Sequence, residues 1–516
     1  MRLIVFHYHL LPGGVTQVIS SSAIAALRYL PEIDGITLVS GKKDNADNVV
    51  AGIRAKLDGT IFDKSDIISV TLPELEYMSD MERHPDLKSL KNTLKKRFAG
   101  HLWWIHNYHL GKNPVFTEAV LQIAEEFPEQ KIILQIHDFP EASRYRNLEV
   151  LHKHVTRPLY PIYSNIRYVT INSRDSTYLI AAGIPKEMVF LLNNPVEAFY
   201  EKENTGENYK KIDKVLSGSS PSYIEGAPLI IYPVRTIRRK NILEAGLLVK
   251  CSTIPVNLLP TLPGVSAAEK GYSKIIDNCF DKKLVPGTAQ AGIVLASKGI
   301  SFSNIMSAGK IIISSSVQEG FGYLFINSLQ WRKPLLARNL DVIRDFSNIF
   351  SPEFSHFYDN VDIPLSSTLR KQLRQEYNKK IYELGKLLDK KIISNLKNQA
   401  AQVIQGNSID FSYLSPAMQR NFLKDLEDPG LLEETRKMNN IKLKQMKKML
   451  SIDMIAFDET VIKKFSLVNH AEQIGNIISS LKNDIQMPLS PKKNINYTIM
   501  ASFANFASIS LLYDPV

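Results

Sequence analysis

The strongest constraint on the fold is an alternation that runs through the chain twice. Short, uncharged apolar runs at residues 3–7, 36–40, 102–106, 132–137 and 168–172 are each followed by polar turn residues and then by a helix-length stretch. Strands of that kind, separated by helices, are what a parallel sheet covered on both faces requires. The alternation restarts with strand-like runs at 229–234, 293–296, 311–314 and 334–337, and a helix at 241–250. The reading is therefore α/β, with two Rossmann-like domains. A chain of 516 residues also exceeds what one hydrophobic core supports.

Boundaries follow from where the pattern fades. Residues 51–100 fit the alternation poorly and read as an insertion. At 206–226 Glu, Lys, Asn, Ser and Gly dominate, which marks a linker. From 367 onward the chain is helical in pattern, rich in Lys and Met, and without strand signals. The expected organisation is an N-terminal domain over 1–205, a second domain over 226–366 and a helical extension over 367–516. Residues 497–512 are the segment expected to cross back to the first domain.

Hydrophobic residues at 44% and charged residues at 22% exclude wholesale disorder and low-complexity classes. Two cysteines, Cys251 and Cys279, are too few for a zinc cage or a disulfide scaffold and fit a reducing compartment. The opening apolar run lacks a cleavage-site pattern and reads as a first strand. The uncharged stretch 495–513 is interrupted by Asn496, Ser502, Asn505, Ser508 and Ser510, too polar for a membrane span. A cytoplasmic protein is expected, with peripheral contact at the inner face of a membrane as an open possibility.

The net charge of +11 is concentrated in clusters. Residues 370–397 hold nine Lys or Arg against three acids, and 436–448 hold six basic residues and no acid. Lys88, Lys91, Lys95, Lys96 and Arg97 alternate with Leu87, Leu90, Leu94 and Phe98 at helical spacing. Such clusters suit an anionic membrane or a phosphorylated substrate, or simply a solvated helix face. No nucleic-acid-binding motif accompanies them, so nucleic acid is not an expected partner.

Ligands of parallel α/β sheets bind outside the carboxyl ends of the strands, so polar residues that follow strand-like runs are the candidates for chemistry. Gly13 and Gly14 follow the first strand and open a helix, where free N–H groups favour an anion, although the Gly-x-Gly-x-x-Gly pattern is not met. Arg235, Arg238, Arg239 and Lys240 follow the run 229–234 and suit a diphosphate, Arg as a fork and Lys as a point charge. Glu319, Gly320, Phe321 and Gly322 follow the run 311–314, where a carboxylate beside Gly-x-Gly suits sugar hydroxyls. His137 ends another strand; it would polarise a substrate hydroxyl, or bond a loop carbonyl in a structural role. His106, His109, Lys112 and Asn113 make a second polar strand end, with His7 and His9 near the first turn. Their spacing matches no strong zinc pattern, and no metal site is expected.

In combination these residues resemble the retaining glycosyltransferases of family 4, which have the GT-B fold: two Rossmann-like domains facing a central cleft. Arg235 and Lys240 match that family's Arg-x4-Lys spacing, and Glu319-Gly-Phe-Gly the start of its Glu-x7-Glu motif. The resemblance implies transfer of a hexose from a nucleotide diphosphate sugar to an acceptor hydroxyl with retention, and with no metal or other cofactor. It assigns donor binding to Gly13, Gly14, Arg235, Lys240, Glu319, Phe321, Gly322 and Asn327. Catalysis falls to His137, Arg235, Lys240 and Glu319, with His109, Lys112 and Asn113 on the acceptor side. Asn327 stands where the motif has its second Glu, and keeps hydrogen bonding without charge. Two other readings stay open: a membrane-surface enzyme with a lipid acceptor, using residues 88–97, and a nucleotide-sugar-binding protein weakened in catalysis.

Overall fold

The computed structural model describes residues 1–57, 66–81, 84–197, 205–452, 455, 458–482 and 494–514. It divides into two units: 1–197 with 460–504, and 198–459 with 505–516.

The first unit is built on a seven-stranded parallel sheet. Its strands are β1 (Arg2–His7), β2 (Gly35–Ser40), β3 (Asp66–Thr71), β4 (Leu102–His106), β5 (Ile132–Ile136), β6 (Ile166–Thr170) and β7 (Val189–Leu191). They lie in the order β3-β2-β1-β4-β5-β6-β7. Alternate residues of one strand feed opposite cores. Ile4, Phe6, Trp103 and Ile105 pack on one face, whereas Leu3, Val5, Leu102 and Trp104 pack on the other. That two-sided burial is why the strands read as continuous apolar runs. The supposed insertion over 51–100 contains β3 and the helix Leu87–Phe98, so both belong to the domain.

The second unit carries a five-stranded parallel sheet of β8 (Leu229–Arg235), β9 (Asn257–Leu262), β10 (Ile311–Ser314), β11 (Leu335–Arg338) and β12 (Ser355–Tyr358). The order is β12-β11-β10-β8-β9. Two expectations need correction here. The run 293–296 belongs to a helix, Ala291–Ala296, and the strand beside β8 is β9. Residues 206–226 are no loose linker, because Thr205–Ser217 is a helix that buries Asn208, Ile212 and Leu216.

The stretch 367–516 is not a single appendage. A short antiparallel pair, β13 (Asp362–Pro364) and β14 (Ser408–Asp410), ties its first part to the second unit. Residues 460–504 belong to the first unit: Ala471, Ile474 and Ile477 join one core, and Ile499 and Phe503 the other. Residues 505–514 return to the second unit. No single helix among the described residues is long and apolar enough to cross a membrane.

The basic helix Leu87–Phe98 buries Leu90, Leu94 and Phe98 in the first unit's core. Lys91 pairs with Glu126 at 2.7 Å, and the Lys95 ammonium lies 3.3 Å from the centre of the Phe127 ring. Its apolar face is therefore committed inward, while Lys88, Lys96 and Arg97 remain exposed.

Candidate active site

In each sheet the strand order reverses once, between β1 and β4 and between β8 and β10. At such switch points adjacent loops diverge and leave a crevice for ligands.

In the second unit, the loop after β8 contains the turn Arg238–Lys240 and the loop after β10 contains Glu319. Hydrogen bonds stitch the two together. Val317 N donates to Arg239 O at 2.9 Å, Ser315 Oγ donates to Asn241 O at 2.9 Å, and Tyr232 Oη donates to Lys240 O at 2.8 Å. Glu319 accepts from Lys240 Nζ and, at 3.2 Å, from Arg239. Burial alone would raise the Glu319 carboxyl, but the two cations outweigh it and hold it below the usual carboxylate range. Burial in turn draws the Lys240 ammonium below its ordinary value, against the pull of Glu319.

The other expected donor residues are placed differently. Arg235 ends β8 with an exposed side chain, so the inward cations at Glu319 are Lys240 and Arg239. Arg238 is occupied elsewhere, by Glu269 and by the carbonyls of Tyr513 and Asp514 at 2.8 and 3.0 Å. The Phe321 ring does not line an open site; it is buried against Tyr323 and Phe346, with ring centres 5.0 and 6.0 Å away. Gly322 has φ 94°, and a Cβ there would come within 2.6 Å of the Phe325 ring, so the fold itself demands glycine at the head of the helix Tyr323–Gln330. Asn327 lies half-buried on that helix.

In the first unit the carboxyl ends of β1, β4 and β5 gather imidazoles. His137 Nε2 lies 2.8 Å from His106 Nδ1, and the two rings stack with centres 5.1 Å apart. His7 Nδ1 sits 3.5 Å from the His106 carbonyl. The Asn107 side chain accepts from the His137 backbone N–H at 2.8 Å and so sets where the histidine leaves the strand. Burial lowers the pKa of His7 to about 3 and of His137 to about 4, and it lowers His106 as well. The cluster is neutral at physiological pH. Among the described residues no group of three or more His, Cys, Asp or Glu is arranged to hold a metal ion.

Gly13 and Gly14 open the helix Gly14–Tyr29 next to this cluster in sequence, with no side-chain cap and no acid in the first turn. Gly13 is extended at φ 176°, and a Cβ on Gly14 would meet nothing within 4 Å. Neither strain nor crowding calls for glycine there, which leaves bare backbone N–H groups at an exposed helix start.

Of the acceptor-side candidates, two are interior. Asn113 is 0% exposed; it caps the helix Pro114–Glu126 through Phe116 N at 2.9 Å and donates to the Glu74 and Glu76 carbonyls, both at 2.8 Å. Its polar atoms are thereby committed to the fold. His109 is also 0% exposed, packed among Tyr108, Phe139 and Tyr160, with burial lowering its pKa to about 3. Lys112 alone of the three reaches solvent, its ammonium 5.2 Å from the Tyr77 ring centre.

Sequence reasoning gave no role to Glu141, a 1%-exposed carboxyl that the Tyr160 hydroxyl approaches at 3.0 Å and burial pushes up to about 7. Nor did it single out Asn241, which has φ 47° immediately after Lys240. An Asn after a cation at the head of a helix is the one signal that pointed there.

The two parallel sheets have the GT-B architecture, and a sequence likeness to a glycosyl synthase makes the class a glycosyltransferase. In fold the chain resembles Anabaena HepE, solved with UDP and glucose, at a TM-score of 0.51 and 12% identity over 93% of this chain and 100% of that one. In sequence it is 34% identical over 490 residues to the mannosylglucosyl-3-phosphoglycerate synthase of Petrotoga mobilis, spanning 92% of this chain and 88% of the relative. The chain belongs to the family of that synthase. No general family model matches it.

Proposed function

We propose that this protein transfers a hexose from a nucleotide diphosphate sugar to an anionic glucosyl-phosphoglycerate acceptor, with retention at the anomeric carbon, as the family-4 glycosyltransferases do. The observation that carries the reading is the Lys240–Glu319 pair at the switch point of the second sheet. On donor binding, Lys240 trades Glu319 for the diphosphate, and the freed carboxylate accepts from hexose hydroxyls. Arg235, exposed at the end of β8, supplies the second cation. As the bond from the anomeric carbon to the phosphate oxygen breaks, negative charge grows on the diphosphate, and preorganised cations stabilise it most at that moment. The acceptor oxygen bonds to the same face of that carbon, and its proton passes to the leaving phosphate. No side-chain nucleophile is needed, and the cations take the part a divalent metal has in other transferases.

His137 offers the reacting sugar a neutral hydrogen-bonding group, held in place by His106. Gly13 and Gly14 present backbone N–H groups to a phosphate. The acceptor class comes from the relative's product, a mannosylglucosyl-3-phosphoglycerate, which carries acidic groups. Lys112, which reaches solvent, is the acceptor-side cation assigned to meet one of them.

The test is incubation with a panel of nucleotide sugars and glucosyl-3-phosphoglycerate, with and without EDTA. Product formation unaffected by the chelator, with the donor's anomeric configuration preserved in the coupling constants, is expected. Hydrolysis or binding of nucleotide sugars with no glycoside formed from any donor would instead identify a binding protein weakened in catalysis, the reading that Asn327 favours.

A further inference from the structure

Lys240 is followed by a residue in the left-handed region. Asn241 adopts the left-handed conformation, φ 47° and ψ 49°, and turns the chain from Arg238–Lys240 into the helix Ile242–Lys250. A non-glycine residue there is strained and persists only where its surroundings over-determine it.

Those surroundings form a continuous buried network. Asn241 Oδ1 accepts from Gln419 Nε2 at 2.9 Å, and Asn241 Nδ2 donates to Glu244 Oε2 at 2.7 Å. Glu244 accepts from Arg338 at 2.5 and 3.1 Å, and from the Tyr358 hydroxyl at 3.1 Å. Arg338 in turn grips Asp410 with two bonds of 2.8 Å. Asn241, Glu244 and Gln419 are 0% exposed, and Arg338 and Asp410 are 6% and 7% exposed. Gln419 Nε2 also donates to the Phe411 carbonyl at 2.9 Å. With the amide nitrogen committed to two acceptors, its Oε1 is buried with no hydrogen-bond partner among the described residues. A buried orphan acceptor is destabilising, and that oxygen would be absent in a leucine of similar size.

We propose that Gln419, Asn241 and the Glu244–Arg338–Asp410 ion triad are a positioning relay for the Lys240 ammonium. Through it, β14 and the helix Pro416–Asp425, which lie after the sheet, set the geometry of the diphosphate-binding turn. The inference rests on the donor role given to Lys240 above. It assigns work to a part of the chain that carries none of the family's motifs.

Two variants test it without removing a cation. Gln419→Leu deletes the orphan oxygen but takes the donor from Asn241 Oδ1, so its thermal unfolding is measured beside binding to show that it is folded. Asn241→Gly keeps the left-handed turn, which glycine adopts freely, and deletes both side-chain bonds. In each, binding of UDP, GDP and ADP is measured by calorimetry, and donor and acceptor KM are measured separately. Expected is a roughly tenfold weaker nucleoside diphosphate Kd and donor KM, with acceptor KM unchanged. Adding Gln419→Leu to Lys240→Ala should cost no further affinity, since the relay then has nothing to position. A folded Gln419→Leu protein with wild-type Kd and donor KM overturns the relay, as does an additive loss in the double variant. Wild-type protein that binds none of the three nucleotides overturns the donor reading itself, and the relay with it.

Discussion

The two switch points of this molecule solve the problem of polar chemistry in a buried place by opposite means. In the first unit His7, His106 and His137 crowd the ends of β1, β4 and β5 and escape the cost of burial by giving up their protons. In the second, Lys240, Arg239 and Glu319 keep their charges and escape it by pairing. A neutral imidazole cluster can orient hydroxyls at little desolvation cost but does little to counter a diphosphate. A cation–carboxylate cluster carries the charge that can counter it. The contrast is one of charge: the neutral half is suited to hydroxyl groups and the charged half to an anion.

The largest effect should come from breaking the charged half. Lys240→Ala is expected to lower kcat by about 10²–10³ while the protein stays folded, and Lys240→Arg to recover only part of it. Near-normal turnover in Lys240→Ala would erase the contrast. Glu319→Gln comes next. It leaves Lys240 buried beside Arg239 without its carboxylate, and should cost about 3 kcal/mol in urea unfolding as well as activity, because an uncompensated buried charge is worse than either the pair or neither partner.

The neutral half should tolerate a neutral substitute. His137→Gln is expected to retain at least about a tenth of wild-type kcat and His137→Ala less, because general acid–base work by a charged ring would contribute about 10²–10⁴-fold and be lost in both. Equal, deep losses in the two variants would mean that the ring carries a proton.

Stability against pH sharpens the same point. Histidines titrate near 6.5 in the unfolded chain, but His137 does so at about 4 and His7 and His109 at about 3 in the folded protein. Below pH 6.5 the unfolded chain therefore binds more protons, and stability falls as pH drops towards 4, by up to about 1.4 kcal/mol per histidine per pH unit. Glu141 and Glu244, each raised to about 7, act the other way over part of that range and offset two histidines, whereas His470, lowered to about 4, adds to the decline. Urea midpoints at pH 7.5, 6 and 5 should decline; a flat series would mean that the imidazoles are hydrated and titrate normally. The smallest change expected is from Asn327→Glu, which restores the motif's second carboxylate and should leave nucleoside diphosphate affinity equal or a few-fold tighter. Weaker binding would place residue 327 outside the nucleotide site.

Much of the fold was legible because burial on both faces leaves a plain imprint. All the runs expected as strands before residue 200 are strands. The failures have local causes. β9 was missed because Asn257 and Pro260 interrupt it, and Pro removes a ladder donor. Residues 293–296 are as apolar and β-branched as a strand, and a run that short cannot be told from a buried helix turn by periodicity. Thr205–Ser217 passed for a linker because its three buried residues are spaced among Lys, Glu and Asn. At the site, Glu319 and Lys240 could be picked out as a polar pair at strand ends, whereas Asn113 looked like a ligand residue and proved to be a helix cap.

Local order along the chain was enough to dictate two parallel sheets, and with them the addresses where chemistry belongs, since period and turn chemistry are properties of near neighbours. Tertiary structure alone decided that Arg239 rather than Arg235 meets Glu319, that His106 stacks on His137, and that residues 460–504 complete the first unit. Each of those is a contact across 31 or more positions in the chain, set by which strands lie side by side and which helix faces remain to be covered. The packing of the whole core settles that choice, and no short stretch of sequence contains it.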